Sequence, residues 1–319
     1  MIYTVTLNPA IDRELTVPDF AYDTVLRASA WRVDWGGKGF NVSRMLRALG
    51  EESVALGFAG GHAGQMLREG LQELGIATEF IPISGETRTN VSIVGEQRDH
   101  YLKVNEPGPP ITAADLDALR SRIAERAQPG DWWVMAGSLP PGAPPDSYAE
   151  LVTLIQENGA RAILDSSGEA LARGCSAGPF LIKPNDTELQ RLSDRPVKTM
   201  RQAVRAARTV LRRGVRHVVV SMGRRGALLI DEEGAWQAAA PSIAERNPIG
   251  AGDSLVGGLV WALSQGRPPA QALRWGVACG TATAGRDGTA VGSRQQVEQL
   301  AAQVSLQALG EPQPATGDT

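Results

Sequence analysis

The chain has 319 residues, of which 42% are hydrophobic and 21% are charged, and its formal net charge is −3. This composition is typical of a globular protein and excludes wholesale disorder, and the small net charge gives no global attraction to nucleic acid or to acidic membranes. The two cysteines lie far apart in sequence and favour a reducing compartment without structural disulfides. The three histidines are isolated, and no Cys/His spacing indicates a zinc site. No secretory signal precedes the first strand and no uncharged apolar run reaches membrane-spanning length, so we expect a cytoplasmic protein with no nucleic-acid or membrane partner.

In chain order, short β-rich segments alternate with amphipathic helical segments. Strands are predicted at 2–7, 53–58, 131–135, 162–164, 180–182 and 217–220. Helices are predicted at 39–49, 64–74, 112 to about 127, 252–263 and 269–284, with further helices between the later strands. Gly50 and Gly75 end the first two helices, and Thr112 with Asp115 resembles a capping box. Such alternation predicts an α/β fold with a mostly parallel central sheet and helices on both faces.

Three stretches depart from this alternation. Residues 13–35 and 89–104 alternate polar and apolar side chains, and they predict small antiparallel strands that are too polar for the central sheet. A small sheet that covers a cleft or pairs with another subunit fits this pattern, and so does a plain surface hairpin. The tail 310–319 has little apolar content, and we expect it to be disordered.

The sequence Gly-Ala-Gly-Asp at 250–253 precedes an apolar helical pattern. A turn this small lets backbone N–H groups converge at a helix N-terminus, where the helix dipole favours anions. Asp253, next to such an anion pocket, is suited to accept a proton from an attacking hydroxyl group. A purely structural turn is the alternative, because most glycine-rich turns only change the direction of the chain.

Five other polar or glycine-rich loops leave strand ends, and ligands in open α/β sheets bind beyond the carboxyl ends of the strands. These loops are 8–12, 36–41, 136–141, 183–188 and 221–226. Their convergence on one rim is difficult to explain by turn chemistry alone. The Gly-Lys-Gly sequence at 37–39 is not a Walker loop, and the absence of a G-x-G-x-x-G motif and of protein-kinase signatures disfavours nicotinamide enzymes and protein kinases.

Two groups of polar side chains in this chain suit phosphate and metal chemistry. Lys38, Arg88 and Arg27 together are suited to hold a phosphate monoester, although a surface role is an equal alternative for the two arginines. Asn185 and Glu188 fall on one side of a first helical turn, where their oxygen atoms suit Mg²⁺ held through waters. Asn185 as a helix cap supported by Glu188 is the alternative, and the two roles are compatible.

Together these segments resemble the PfkB (ribokinase-like) carbohydrate kinases, in particular the 1-phosphofructokinase and tagatose-6-phosphate kinase branch. The resemblance covers nearly the whole chain and is carried by 6–12, 36–41, 137–141, 164–168, 183–185 and 250–253. It implies a ribokinase-like three-layer α/β/α sandwich in a single kinase domain, 1–309, with a small β-lid drawn from about 13–35 and 89–104. It also implies ATP with Mg²⁺, sometimes a stimulating K⁺, and often a homodimer built through the lid strands.

The resemblance further implies a role for each matching residue. Asp253 would be the general base on the sugar hydroxyl, and the backbone N–H groups of Gly250, Ala251 and Gly252 would form an anion hole for the transferring phosphoryl group. Residues implied to bind the sugar phosphate, with Lys38 and Arg88 on its phosphate, are Asp12, Gly37, Lys38, Asn41, Arg88, Ser138 and Arg27. Residues implied at the nucleotide are Lys183, Asn185, Ser221, Gly223 and Gly226. Mg²⁺ would be organised by Asn185 and Glu188.

We therefore expect ATP-dependent phosphorylation of a ketohexose phosphate, with fructose 1-phosphate giving fructose 1,6-bisphosphate as the favoured reaction. In the minor bacterial 6-phosphofructokinases the corresponding loop resembles four glycines, with a lysine shortly before a lid arginine. Here the loop carries Lys38, and Val25 stands where that lid lysine is expected, while Arg27 is retained. The alternatives are a tagatose-6-phosphate kinase, a 6-phosphofructokinase, a nucleoside or vitamin kinase and, from another class, a non-catalytic sugar-phosphate-binding regulator.

Overall fold

The computed structural model describes residues 1–97, 100–286, 288 and 290–309. Its strands are β1 (Ile2–Thr6), β2 (Ala10–Val17), β3 (Ala30–Gly36), β4 (Val54–Ala59), β5 (Ala77–Pro82), β6 (Arg88–Gly95), β7 (Tyr101–Asn105), β8 (Trp132–Ala136), β9 (Arg161–Asp165), β10 (Leu181–Ile182), β11 (His217–Ser221), β12 (Ala227–Ile230), β13 (Ala235–Ala239) and β14 (Ser305–Leu309). Its α-helices are α1 (Lys38–Ala48), α2 (Gly61–Glu73), α3 (Ala113–Arg126), α4 (Ser147–Glu157), α5 (Gly168–Cys175), α6 (Asp186–Ser193), α7 (Met200–Leu211), α8 (Ala251–Ser264), α9 (Pro269–Ala284) and α10 (Arg294–Gln303).

Ten strands form the central sheet, in the order β14-β13-β12-β11-β10-β9-β8-β1-β4-β5. The seven strands from β11 to β5 in that order run parallel, while β12, β13 and β14 add an antiparallel edge. Apart from the edge strand β5, the parallel strands are almost fully buried, as expected for strands covered by helices on both faces. Their carboxyl ends lie at one edge of the sheet, and the loops that follow them meet there.

Helices cover both faces of the central sheet, so the fold is a three-layer α/β/α sandwich. Alternate residues along each parallel strand enter two separate hydrophobic cores, as the twofold repeat of a strand requires. In β8, for example, Trp133 and Met135 join the core under α3 to α7, and Val134 joins the core under α1, α8, α9 and α10. Helix α2 packs on the sheet through a third, smaller core that includes Leu67 and Phe80. No helix in the described part of the chain is long and apolar enough to cross a membrane.

A second sheet of four strands, in the order β3-β2-β6-β7, forms the lid. Strand pairing puts side chains of each row across the sheet on one face. One row is polar and consists of Asp34, Asp12, Asn90 and Asn105. A row on the opposite face is apolar and consists of Trp31, Leu15, Ile93 and Leu102. The lid therefore has one polar and one apolar face.

Several details differ from the sequence-based expectations. The central strands of the lid, β2 and β6, are parallel, so the prediction of small antiparallel strands is wrong for that pair. The reason is that β3, α1, β4, α2 and β5 intervene between them, and this long connection brings the chain back in the same direction. Strands β5, β13 and β14 were not predicted because they are short and only partly apolar, and β12 was not predicted because it has only four residues, although all four are apolar and buried. The tail expected to be disordered, 310–319, lies outside the described residues.

Candidate active site

The turn at 250–253 joins a loop to the N-terminus of helix α8. Gly250 has a φ of 77°, a left-handed conformation that favours glycine, and it is the residue before the first helical position. The N–H group of Ala251 donates to the carbonyl oxygen of Pro248 at 3.2 Å, which closes the turn. Among the described residues, the N–H groups of Gly250 and Gly252 have no acceptor. This arrangement provides free backbone donors at a helix N-terminus, where an anion is favoured.

Asp253 lies in the first turn of α8, with its carboxylate buried. Its Oδ2 accepts a hydrogen bond of 2.8 Å from the Nδ2 amide of Asn41, which lies in the first turn of α1. Burial and the nearby Asp165 carboxylate raise the pKa of Asp253 to about 6, although Lys38, Asn41 and Lys183 oppose that rise. A carboxylate with this pKa is ionised near neutral pH and is a stronger base than an exposed aspartate.

The glycines before α1 allow the chain to pass close to the lid and to β1. A Cβ atom added to Gly36 would lie 2.5 Å from Oδ2 of Asp12, and one added to Gly37 would lie 2.9 Å from Cγ2 of Thr6. Gly37 is also the residue before the first turn of α1, with a φ of 150°. The loop thus brings Lys38 and Asn41 to the carboxyl end of the sheet while Asp12 approaches from the lid.

Asp165, the last residue of β9, is a buried acid to which sequence reasoning assigned no role. Its Oδ1 lies 3.3 Å from Nζ of Lys183 and 3.6 Å from Nζ of Lys38. The Asp165 carboxylate is the main cause that raises the pKa of Lys38. The structure therefore brings together Lys38, Lys183, Asn41 and Asp253, with Asp165 between the lysines. In the sequence, the available signal for Asp165 was its position at a strand end, within the segment 164–168 that carries the resemblance to the PfkB kinases.

Asp12 lies on the polar face of the lid. Its Oδ1 accepts a hydrogen bond of 2.8 Å from Nδ2 of Asn90, a residue that the sequence did not single out. Burial raises the pKa of Asp12, and the Asn90 bond and the charge of Lys103 partly offset that effect. Ser138, in the loop after β8, is exposed, and its Oγ lies 3.5 Å from Nδ2 of Asn8.

Arg88 and Arg27 are not in equivalent positions. Arg88 is half-buried at the start of β6, and its guanidinium donates to the carbonyl oxygens of Glu106, Asn8 and Pro9 at 2.8, 3.0 and 3.4 Å. Burial lowers the pKa of Arg88. The bonds to Asn8 and Pro9 tie the lid to the loop after β1, and the bond to Glu106 holds the end of β7, so Arg88 has a structural role whether or not it also binds phosphate. Arg27 is exposed in the segment between β2 and β3.

Asn185 and Glu188 form a reciprocal cap at the start of α6. The Glu188 N–H donates to Oδ1 of Asn185 at 2.8 Å, and the Asn185 N–H donates to Oε2 of Glu188 at 2.9 Å. The capping role considered from the sequence is therefore confirmed. The charge of Glu188 also reaches the site because, after Asp165 and Asp253, it contributes to raising the pKa of Lys38. The two roles of this pair remain compatible.

Next to the turn of α8 lies a cavity of about 390 Å³. Polar and backbone groups on its wall come from Ser221, Gly223, Gly226, Ala251, Gly252 and Thr281. Apolar groups on its wall come from Ile243, Leu255 and Val277. A cavity of this size, mostly apolar with a few polar groups, suits a ring system such as a nucleobase. Of the residues predicted at the nucleotide, Ser221, Gly223 and Gly226 line this cavity. Asn185 pairs with Ser221 in an isolated parallel β-bridge.

Known proteins resemble this chain over nearly all of its length. The sequence-family model for pfkB family carbohydrate kinases matches residues 4–296 of this chain. The 1-phosphofructokinase of Bacillus subtilis is 37% identical over 307 residues, covering 96% of this chain and 99% of the relative. That of Rhodobacter capsulatus is 36% identical over 309 residues, covering 97% and 98%. The crystal structure of phosphofructokinase-2 from Escherichia coli in complex with potassium has a TM-score of 0.91 at 32% identity, covering 95% and 98%. Arabidopsis thaliana ribokinase, at 19% identity, shares the fold with a TM-score of 0.76, covering 94% and 98%.

Proposed function

Because the chain belongs to the pfkB family of carbohydrate kinases, we propose that it transfers the γ-phosphoryl group of ATP to fructose 1-phosphate and so forms fructose 1,6-bisphosphate and ADP. Membership of the family makes the chain a phosphotransferase that acts on a sugar phosphate. The choice of fructose 1-phosphate is carried by the relatives named 1-phosphofructokinase, which are 32 to 37% identical over nearly the whole chain. Lys38 in the glycine loop argues against a minor 6-phosphofructokinase, whose loop resembles four glycines, but tagatose-6-phosphate kinases share the lysine.

The kinase chemistry is carried by the buried Asp253 carboxylate at the N-terminus of α8. The acceptor hydroxyl oxygen forms a bond to the γ-phosphorus while the bond to the β,γ-bridging oxygen breaks, and the hydroxyl proton passes to Asp253. Phosphoryl transfer has a loose transition state, so alignment and charge stabilisation contribute more than base strength. The N–H groups of Gly250 and Gly252 would donate to the oxygen atoms on which charge develops, while the N–H group of Ala251 is engaged by the Pro248 carbonyl oxygen.

We assign the cavity beside α8 to the nucleotide. Its apolar wall at Ile243 and Val277 suits an adenine ring, and its border at Ala251 and Gly252 is continuous with the catalytic turn. ATP bound in this way would direct its phosphates from the cavity toward Asp253. Gly223 and Gly226 have positive φ angles of 56° and 88°, and the added Cβ at Gly226 would overlap the backbone of β13. Gly226 thus allows the loop after β11 to lie directly against β13 at the border of the cavity.

Asn185 and Glu188 would hold Mg²⁺, which when bound neutralises charge on the β- and γ-phosphate oxygens. Within the described ranges, no group of three or more His, Cys, Asp or Glu side chains could enclose a metal ion. That finding fits a hard cation that keeps several waters and is held mainly by nucleotide phosphates. The amide and carboxylate oxygens of the α6 cap are the correct ligand type, and the charge of Glu188 already acts on Lys38.

On the sugar side, Asp12 would accept hydrogen bonds from sugar hydroxyl groups. Its carboxylate is fixed by Asn90 and by close contact with Gly36, so it is oriented before the sugar binds. Gly37, Asn41 and Ser138 would border the same sugar pocket, and Arg27 and Arg88 remain the predicted arginine ligands of the sugar's own phosphate.

We also propose a homodimer in which the apolar faces of two lids pack together. Trp31, Leu102 and Val104 lie on that face and are 68, 52 and 56% exposed. An apolar face of this kind on a strand pair marks an interaction surface rather than an ordinary solvent face. A second copy is the partner that fits, because it presents the same apolar rows and forms a closed twofold contact.

A spectrophotometric ADP assay with fructose 1-phosphate, fructose 6-phosphate and tagatose 6-phosphate tests the proposed function. We expect the highest kcat/KM with fructose 1-phosphate, and ³¹P NMR of the product should identify fructose 1,6-bisphosphate. Asp253→Asn should bind ATP and lose turnover. A higher kcat/KM with either of the other phosphates would reassign the substrate, and near-normal turnover by Asp253→Asn would remove the base. Absence of ATP consumption with all three would favour a binding protein.

A further inference from the structure

The buried carboxylate of Asp165 has an unusual set of neighbours. It is 1% exposed, and neither of its oxygens has a hydrogen-bond partner in the described part of the chain. Its ion-pair partners within the described ranges are the ammonium groups of Lys183 at 3.3 Å and Lys38 at 3.6 Å. A buried carboxylate is unfavourable unless opposite charges compensate it. Asp165 therefore depends on these two lysines, and their ammonium groups are held in place by it.

Both lysines lie beside the catalytic turn. Lys183 is almost fully buried, and a Cβ atom added to Gly252 would be 3.5 Å from its Nζ. Lys38 is close enough to Asp253 for each to shift the pKa of the other. The Lys38 ammonium group thus faces the transfer site, although sequence reasoning had assigned it to the phosphate already on the sugar.

We propose that Asp165 is a positioning residue that aims the ammonium groups of Lys38 and Lys183 at the phosphoryl group in transfer. The inference rests on the proposed kinase function and changes the assignment of Lys38. Lysine stems are flexible, so an anchor that fixes two ammonium groups in advance avoids ordering them during the reaction. Their charges then lie where the equatorial oxygens of the transferring group become more negative.

Negative and positive charges lie close together at the site before ligands bind. Asp165 and Asp253 face Lys38 and Lys183, and Glu188 adds a further negative charge that acts on Lys38. An arriving γ-phosphoryl group competes with Asp165 for the lysines. Because Asp165 is tied to the sheet through β9, the lysines can contact the phosphoryl oxygens only on the side that faces the turn of α8. The anchor therefore selects one orientation of both charges.

Nucleotide binding in the absence of a sugar tests whether the ammonium groups of Lys38 and Lys183 contact the γ-phosphoryl group. We would measure the Kd values for ATP and ADP by titration calorimetry for the wild type, Lys38→Met and Lys183→Met. The ratio of the ADP to the ATP value reports contacts with the γ-phosphoryl group, and we expect it to fall by about fivefold or more in both variants. An unchanged ratio in Lys38→Met would overturn the inference. This measurement remains decisive if no phosphoketose is turned over, in which case the proposed function fails separately.

Steady-state kinetics test the anchor. Lys38→Met should lower kcat by about 100-fold and leave the KM for fructose 1-phosphate within about threefold, whereas a raised KM with retained kcat would return Lys38 to the sugar's phosphate. Asp165→Asn should also lower kcat, and the double variant should be little worse than either single variant because the two residues act as a unit. Multiplied effects, or recovery of Asp165→Asn by excess Mg²⁺, would contradict a positioning role.

Asp231→Asn is the matched control for Asp165→Asn. Asp231 is also buried, and its Oδ2 lies 3.2 Å from Nδ1 of His217. It follows β12, which is antiparallel to β11, so it lies at the amino ends of the parallel strands, away from the catalytic turn. We expect this variant to keep the wild-type kcat and the wild-type ratio of Kd values. A loss of kcat equal to that of Asp165→Asn would indicate a general effect of removing a buried carboxylate.

Discussion

The side-chain amide of Asn41 donates a 2.8 Å hydrogen bond to Oδ2 of Asp253, and this bond joins the first turns of α1 and α8. It orients the carboxylate and leaves its other oxygen to receive a proton. Like the charges of Lys38 and Lys183, the bond favours the ionised form of Asp253 against the effect of burial. Asn41 thus both positions the proposed base and keeps it ionised.

Removal of the Asn41 amide should impair the base without removing it. We expect Asn41→Ala to lower kcat by about 10- to 100-fold, since the carboxylate loses its orienting donor and is ionised less readily. Asn158→Ala is the control, because the Asn158 amide also donates a hydrogen bond, to the Leu154 carbonyl oxygen at the end of α4, away from the site. Equal kcat values for Asn41→Ala and the wild type would show that the bond is not needed for turnover.

The pH dependence of kcat/KM should report the ionisation of Asp253. Its pKa of about 6 predicts that kcat/KM falls as pH drops through that value, because the base must be unprotonated. Lys38 lowers this pKa and Asp165 raises it, so the acid limb should move to higher pH in Lys38→Met and to lower pH in Asp165→Asn. The measurement is a pH–rate series at constant ionic strength. Shifts in the same direction for both variants would contradict this charge arrangement.

Asp253 should cost folding stability at neutral pH. Its folded pKa of about 6 is above the ordinary value of 3.8, so its contribution is most favourable below pH 4 and is lost as pH rises through about 6. A shift of this size corresponds to about 3 kcal/mol. We expect Asp253→Asn to be more stable than the wild type at pH 8, by about 1–3 kcal/mol in urea unfolding, with the difference vanishing near pH 4. If Asp253→Asn were less stable than the wild type at pH 8, the buried, ionised Asp253 carboxylate would not be a source of instability in the wild type.

The sequence predicted the elements whose signals are local. The three-layer fold follows from buried strands alternating with amphipathic helices, and the turn before α8 follows from Gly250 and the apolar pattern behind Asp253. The α6 cap followed from the spacing of Asn185 and Glu188. In each of these cases the decisive residues lie within one or two turns of chain.

The features that sequence reasoning missed depend on segments that are distant in the chain. Asp165 gains its meaning only where β9 brings it between Lys38 and Lys183, and no local pattern signals that meeting. The sequence predicts Arg88 as a phosphate ligand but does not show its structural role, because the three backbone carbonyl oxygens that it binds come from the loop after β1 and from the end of the lid. The parallel pairing of β2 with β6 likewise depends on the path of the intervening chain.

The cap of α6 allows the metal role of Glu188 to be separated from its structural role. Glu188→Gln removes the charge but keeps an oxygen acceptor for the Asn185 N–H. Glutamine already fills the same capping position at Gln202 and Gln296 in this chain. We expect unfolding free energy to change by less than about 0.5 kcal/mol while the Mg²⁺ concentration for half-maximal rate rises about tenfold or more. An unchanged Mg²⁺ requirement would leave Glu188 with the capping role alone.

The lid dimer should dissociate when a charge is placed on the apolar face of the lid. Leu102 is half-exposed in the row formed with Trp31, so Leu102→Glu would put a carboxylate into the proposed interface, where desolvation is costly. We expect sedimentation equilibrium to give a dimer for the wild type and a monomer for this variant. Leu74→Glu is the matched control, because Leu74 is 40% exposed at the end of α2, outside the lid, and its replacement should leave the dimer intact. A wild-type monomer at micromolar concentration, or a dimer that withstands Leu102→Glu, would show that the apolar face does not join two copies.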